Sequence, residues 1–311
     1  MIRFVPEYFP FGSLLRSAWP VKVLNQNGIA ATTGDEAADI IVIHRSLDPA
    51  KLELVRNAKR SGLFVIVQED DDVMHLPALR YGAGFNASDV MRGAKESAKL
   101  ADRMIVTTPA LAAVYARWCA DIRIVPNYLP RWVTELPLRH RRERIDRLEV
   151  VYAGSIKGHN HDLDWLRPAL PRITSVAKLT FIGEKEWPTF LKCEAKVKRW
   201  KRMPASYYRA LGRFDVGIVP LMPCAFNESK SYLKALDYAT QGLEVVATST
   251  GPMRSLECVT NLVETPWEFA ERIEAIADVA PITTRQIRRE AARRYVLEDH
   301  IGEWIAALQL K

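Results

Sequence analysis

The run Asn227-Glu228-Ser229-Lys230-Ser231 stands directly before an apolar-periodic stretch that stops at Gly242. Lys230, Lys234 and Asp237 recur at i, i+4 and i+7, one stripe of a helix. Leu233, Leu236 and Thr240 fill a neighbouring stripe that can face a sheet. A helix start presents unpaired N–H groups and the positive end of the peptide dipole, so it receives phosphate readily. Asn227 and Ser229 would supply capping oxygens there, and Lys230 a cation. Two turns later Asp237 would accept ribose hydroxyls, so the set suits a nucleoside diphosphate. It describes a capped surface helix with a like-charged lysine pair and an exposed aspartate equally well. Spacing alone does not choose.

Further candidates close apolar runs. Glu69-Asp70-Asp71-Asp72 follow "LFVIVQ" and contain a DxD pattern. A carboxylate there, with Asp71 as the catalytic candidate and Asp70 and Asp72 beside it, would hold or deprotonate a substrate hydroxyl. A solvated acidic turn ranks second and a divalent cation third. His44-Arg45 follow "DIIVI" and could reach the same cleft or form an exposed surface pair. Gly12-Ser13 open a helix that could admit a substrate, and Arg16, one turn in, could meet an anionic one. His159 and His161 with Asp162 lack a distant third ligand, so no metal is expected. No GxSxG nucleophile elbow is present, which sets a serine hydrolase aside.

The elements that must position these residues alternate. "IRFV", "DIIVIH", "LFVIVQE", "RMIVTT" and "IRIVPN" read as strands with helices between them, as in a parallel sheet covered on both faces. The pattern breaks at "YLPRWVTELPLRHRRERIDR" and restarts with "LEVVYAG", "KLTFIG", "FDVGIVPL" and "LEVVATST". The expected fold class is α/β, two tandem Rossmann-like domains. The first covers 1–130 and the second 148–295, with a linker near 131–147 and a helix at 296–311 that could pack back on the first. The chain has 311 residues, and 44 Lys and Arg against 37 Asp and Glu give it a net charge of +7. That excess fits an anionic partner: nucleotide, nucleic acid or membrane surface. It is clumped at 139–147, 192–202 and 285–294, each run also readable as a solvated face. No apolar run is long enough to cross a bilayer, no signal peptide is expected, and the 4 cysteines form no CxxC pair, so a cytoplasmic setting is expected.

"FNESKSYLKALDYATQGLEVVATSTGP" resembles the nucleotide-sugar segment of retaining GT-B glycosyltransferases of the family 4 type. "VVYAGSIKGHNHDLDWLRPAL" is similar to the family's Gly-Ser, His and Asp loop. "ADRMIVTTPALAAVYARW" with "IRIVPNYLP" resembles the end of its first domain, and "GLFVIVQEDDDVMHLP" the acidic strand end of some bacterial and bacteriophage members.

The resemblance implies two Rossmann-like domains facing a central cleft, and sugar transfer from a nucleoside-diphosphate sugar, UDP- or GDP-linked, with retained configuration and without metal. No permanently bound cofactor and no protein partner is implied. Lys230 and Ser231 would meet the donor phosphates, Asp237 the ribose, and Asn227 to Ser229 the sugar or distal phosphate. Gly154 and Ser155 would let the phosphates approach the backbone, with His159 in that loop and Lys185 as a second cation. Lys230, Asp71 and Glu228 are the catalytic candidates. Gly12, Ser13, Arg16, Arg45, Asp70 and Asp72 are the acceptor-side ones. Many relatives carry two glutamates eight positions apart where this chain has Ser229 and Asp237, and Glu228 lies one place off. The acceptor is either an envelope or lipid-linked glycan, with peripheral contact to anionic membrane, or a hydroxymethylated pyrimidine in phage DNA. The competing class is a noncatalytic nucleotide- or nucleic-acid-binding protein on the same scaffold.

Overall fold

A computed structural model describes residues 1–7, 10–45, 49–76, 87–138, 147–183, 191–198, 204–256, 258, 261–278 and 285–309. Strands β3 (Ile40–His44) and β4 (Phe64–Glu69) are apolar along almost their whole length because helices cover both faces. With β1 (Ile2–Val5), β2 (Ala31–Thr32), β5 (Arg103–Val106) and β6 (Ile122–Ile124) they form a parallel sheet ordered β2-β1-β3-β4-β5-β6. The second sheet holds β7 (Leu148–Ala153), β8 (Ala177–Ile182), β9 (Lys196–Lys198), β10 (Val216–Val219), β11 (Glu244–Thr248) and β12 (Asn261–Val263). Its order is β12-β11-β10-β7-β8-β9, again parallel.

Strand order reverses twice, between β1 and β3 and between β7 and β10. The connections leaving these strand pairs part to opposite faces and open a crevice at their carboxyl ends, the favoured ligand position in such sheets. The Leu233–Thr240 helix packs on β10 and β11 and stops at Gly242, whose φ of 74° only glycine adopts without strain. Elements that the apolar runs do not announce are β2, β9, β12 and the Pro266–Asp278 helix.

The chain crosses between the lobes at two places, and the two crossings pair. Leu129 N donates to Tyr295 O (3.1 Å) and Leu297 N to Leu129 O (2.8 Å), a parallel bridge with Val296. Beyond it the Ile301–Leu308 helix lies on the first sheet. Its Trp304 meets Phe4, and Arg103 Nη1 donates to the carbonyls of Ala307 and Gln309.

The basic run at 285–294 is not a solvated face. In the Arg285–Arg293 helix, Arg285, Arg288 and Arg289 are buried. Arg289 donates to Thr240 O (2.7 Å) and Leu136 O (2.6 Å), and Arg285 to Gly212 O and Phe214 O. These carbonyls end helices or follow them, so the guanidinium groups satisfy backbone acceptors and the negative end of the dipole. Only the far side of this run reaches water, where Arg293 pairs with Glu290.

Candidate functional site

In the second lobe, residues 220–232 connect β10 to the Leu233–Thr240 helix across the β7/β10 reversal. The polar cluster is not the cap that its composition suggests. Residues Ala225–Glu228 close a helical turn of their own, and the following helix starts only at Leu233. Asn227 is buried and donates to Asp162 Oδ1 (2.7 Å) and Met222 O (2.8 Å). Asp162 also accepts from Met222 N (2.9 Å), so one buried carboxylate on the Ile156–Leu166 helix ties residues 222 and 227 of the loop together. Ser229 Oγ lies 3.4 Å from Ala225 O and from Asp72 Oδ2. Ser231 Oγ, not Asn227 or Ser229, accepts from the helix start at Leu233 N (3.4 Å). Lys230 therefore precedes the helix instead of sharing its stripe with Lys234.

Asp237 faces inward. It is 4% exposed and accepts from Tyr208 Oη (2.9 Å) and Tyr207 Oη (3.2 Å). Burial pushes its carboxyl up to about 7, against the pull of the two hydroxyls. A ribose would have to displace a tyrosine to reach it. Glu228 accepts from Gly251 N (2.9 Å) and pairs with Arg254 (3.2 Å), at the start of the turn after β11. A Cβ on Gly154 would come within 3.0 Å of Tyr152 Oη and Lys234 Nζ, which are themselves 3.1 Å apart. Side chains of this chain already crowd the backbone there. Ser155 is the residue before the Ile156–Leu166 helix; the side chain of His159 and the whole of Lys185 lie outside the described residues.

In the first lobe, the β1/β3 reversal carries an ionic cluster. Arg45 adopts a left-handed backbone (φ 52°) that follows β3, and its guanidinium meets Asp70 (2.6 Å), Asp71 (2.9 Å) and Glu7 (3.2 Å). Burial works against the Arg45 charge, but the carboxylates of Asp70, Asp71 and Glu7 outweigh it and raise its pKa. Burial would raise the Asp70 carboxyl too, yet Arg45 and His44 hold it well below the usual range. Glu7 is pushed up to about 7 by burial, and His44 down to about 4 by the same cause. Gly12 leaves room for Glu7: a Cβ there would overlap its carboxylate. Ser13 continues the same helical turn.

Two first-lobe candidates are engaged chiefly by groups of their own lobe. Arg16, in the π-helical turn Leu14–Ala18, is 1% exposed and donates to Val125 O (2.9 Å) and Asn127 Oδ1 (3.3 Å), over the Trp304 ring. It anchors the crossing strand rather than meeting an anionic acceptor. Asp72 caps the next turn, accepting from Met74 N (3.1 Å), His75 N (3.3 Å) and His75 Nδ1 (2.7 Å). Glu69 follows Val65 and Val67 in strand alternation into the core, where burial holds its carboxyl well above the usual range. The acidic run thus sends its members in different directions, and among the described residues no three His, Cys, Asp or Glu converge as metal ligands.

The two sides meet. Lys230 Nζ lies 3.2 Å from Asp71 Oδ1, Thr108 Oγ1 donates to Ser229 O (2.9 Å), and Asn127 Nδ2 donates to Ser231 Oγ (2.8 Å). Asn127 and the anchoring role of Asp162 are absent from the expectations above; a lone Asn in "IVPN" carries no periodic signal, and Asp162 reads as part of a failed metal cluster. A pocket of ≈ 210 Å³ lined by Leu52, Arg56, Arg92 and Glu96 lies elsewhere, on the outer helices of the first lobe.

The fold has counterparts among solved structures. In overall shape the chain is similar to Anabaena HepE in complex with UDP-glucose, with a TM-score of 0.64, 14% identity and 99% of both chains covered. It is also similar to the lipopolysaccharide outer core galactosyltransferase WaaB, with a TM-score of 0.61, 14% identity, and 99% of this chain and 98% of that one covered. A mutant of S. aureus TarM in complex with Fondaparinux, alpha-GlcNAc-glycerol and UDP gives a TM-score of 0.62 at 13% identity. There 94% of this chain is covered but only 59% of TarM, so the chain spans about three fifths of that protein. No curated protein sequence matches the chain. Two parallel six-stranded sheets with these neighbours make the fold GT-B. Residues 147–278, which hold the second sheet, match the family model Glycosyl transferases group 1.

Proposed function

We propose that the protein transfers a sugar from a nucleoside-diphosphate sugar to an acceptor hydroxyl. The observation that carries this reading is the meeting of the two reversal points: the Lys230-Ser231 loop opposes Arg45, Asp70 and Asp71 across one gap. UDP or UDP-glucose in the neighbouring structures supports a uridine nucleotide as donor, with GDP-sugars as the alternative. The diphosphate would sit at Lys230, Ser231 and the amides that open the Leu233–Thr240 helix. That electrostatic environment favours the charge of the departing diphosphate without a metal. Asp71 would hold or deprotonate the acceptor hydroxyl.

For the stereochemical course we favour retention by front-face attack, with Glu228 held through Oε2 by Gly251 N and Arg254. For the acceptor we favour a glycan hydroxyl over a base in DNA. The buried arginines of the 285–293 helix take one basic run out of contention for phosphate contacts.

The test is a panel of UDP- and GDP-sugars, offered with glycan acceptors and with hydroxymethylated DNA, read by chromatography of released nucleotide and product. Transfer to a glycan is expected, with slow donor hydrolysis when no acceptor is present. Tight DNA binding without turnover of any donor would replace the enzyme reading by the binding one.

A further inference from the structure

Lys230, the cation assigned above to the donor diphosphate, already has a carboxylate partner. The pair with Asp71 at 3.2 Å is well enclosed, the two side chains being 12% and 15% exposed. Asp71 Oδ2 is held by Arg45 Nη2 at 2.9 Å, so each of its oxygens faces a cation. The first lobe thus places a negative group where an incoming phosphate must approach. Two anions on one ammonium repel each other, most strongly where water is scarce. Neutral bonds hold the loop on either side of Lys230, Thr108 to Ser229 O and Asn127 to Ser231. The ammonium can therefore change partners by a swing of its own long side chain, with the loop kept in place.

We infer that Asp71 is a built-in competitor of the donor diphosphate. This rests on the donor assignment above and extends it to the order of events. Asp71 holds Lys230 through Oδ1, and the diphosphate must take the ammonium from it. Donor binding then turns that oxygen from Lys230 toward the acceptor hydroxyl.

Isothermal titration of the full chain with UDP, and separately with GDP, tests this on wild type, Asp71→Asn, Lys230→Met and the double variant. Asp71→Asn is expected to bind nucleotide about fivefold to tenfold more tightly than wild type, a coupling of ordinary size. Lys230→Met should bind more weakly, and adding Asp71→Asn to it should bring no gain. Equal or weaker binding by Asp71→Asn overturns the inference. So does a gain that persists without Lys230, which would trace to charge at large. Asp71→Ser, read the same way, serves if the amide variant melts early. Binding with no gain rejects the competition alone, whereas binding of neither nucleotide by wild type or Asp71→Asn rejects the donor assignment and the competition together.

Discussion

The two lips of the cleft are built by different means. On the first lobe, Glu7, Arg45, Asp70 and Asp71 are held together by charge, with Arg45 shared among three carboxylates. On the second, the loop is held chiefly by directed bonds to fixed acceptors, Asn227 and Met222 N on Asp162 and Leu221 N on Thr248 Oγ1, and the helix behind it by the tyrosine pair on Asp237. An ion-paired surface can be rearranged by another ion, because the partners are interchangeable point charges. Directed bonds have a single geometry and resist such exchange. The difference assigns adaptation to the first lobe and a preformed cradle to the second.

Replacing Arg45 tests this most severely. Arg45→Met leaves three neighbouring carboxylates without their common cation, and a loss of about 3–5 kcal/mol is expected in denaturant unfolding. A cost near zero would mean that charge does not hold that lip. Next in size, Lys230→Ala should lower turnover about a hundredfold with the melting temperature nearly unchanged; an unaltered rate would remove the lysine from the donor.

A smaller effect is expected at Asp237, whose carboxyl sits at about 7 against an ordinary 3.8. A carboxyl raised by folding stabilises the native state fully below its unfolded pKa, and that contribution is lost as pH rises to the native value. The wild type should therefore lose stability between pH 3.8 and about 7, and Asp237→Asn should flatten thermal melts across that window. A slope that survives the substitution assigns the titration to another group, Glu7 first. Smallest of all, Asp162→Asn keeps an oxygen for Met222 N and Asn227, and is expected to cost under ~1 kcal/mol. A loss as large as that of Arg45→Met would make both lips ionic and erase the contrast.

Much of the architecture is legible without coordinates of any kind, for a physical reason. Strands such as Ile40–His44 and Phe64–Glu69 are buried on both faces, so their apolar residues run nearly unbroken, and Gly242 marks a helix end that needs a positive φ. Strands of two or three residues, β2, β9 and β12, are too short to show a pattern. The cluster at 227–231 misleads because Asn, Ser and Lys are common at helix starts, while here the backbone inserts a separate turn. Arg285, Arg288, Arg289 and Ala292 do carry a readable signal: they fall at i, i+3, i+4 and i+7, the stripe that a core-facing helix reserves for its inner side. Charge content alone hides it, since a long basic side chain can bury its stem and end on a carbonyl. The meeting of Lys230 with Asp71 was beyond reach for a different reason: the two are 159 positions apart and joined only by how the lobes close.

The paired crossings at Leu129 and Val296 limit how those lobes can move. A body tied to its neighbour by one strand can swivel about several axes, but a body tied by two strands that are stitched together is confined, like a door on a double-knuckled pin. Twisting or sliding would pull Leu129 N from Tyr295 O and Leu297 N from Leu129 O, whereas bending about the line through the stitch leaves both intact. Any opening of the cleft is then a single rocking motion, and closure brings Lys230 back opposite Asp71.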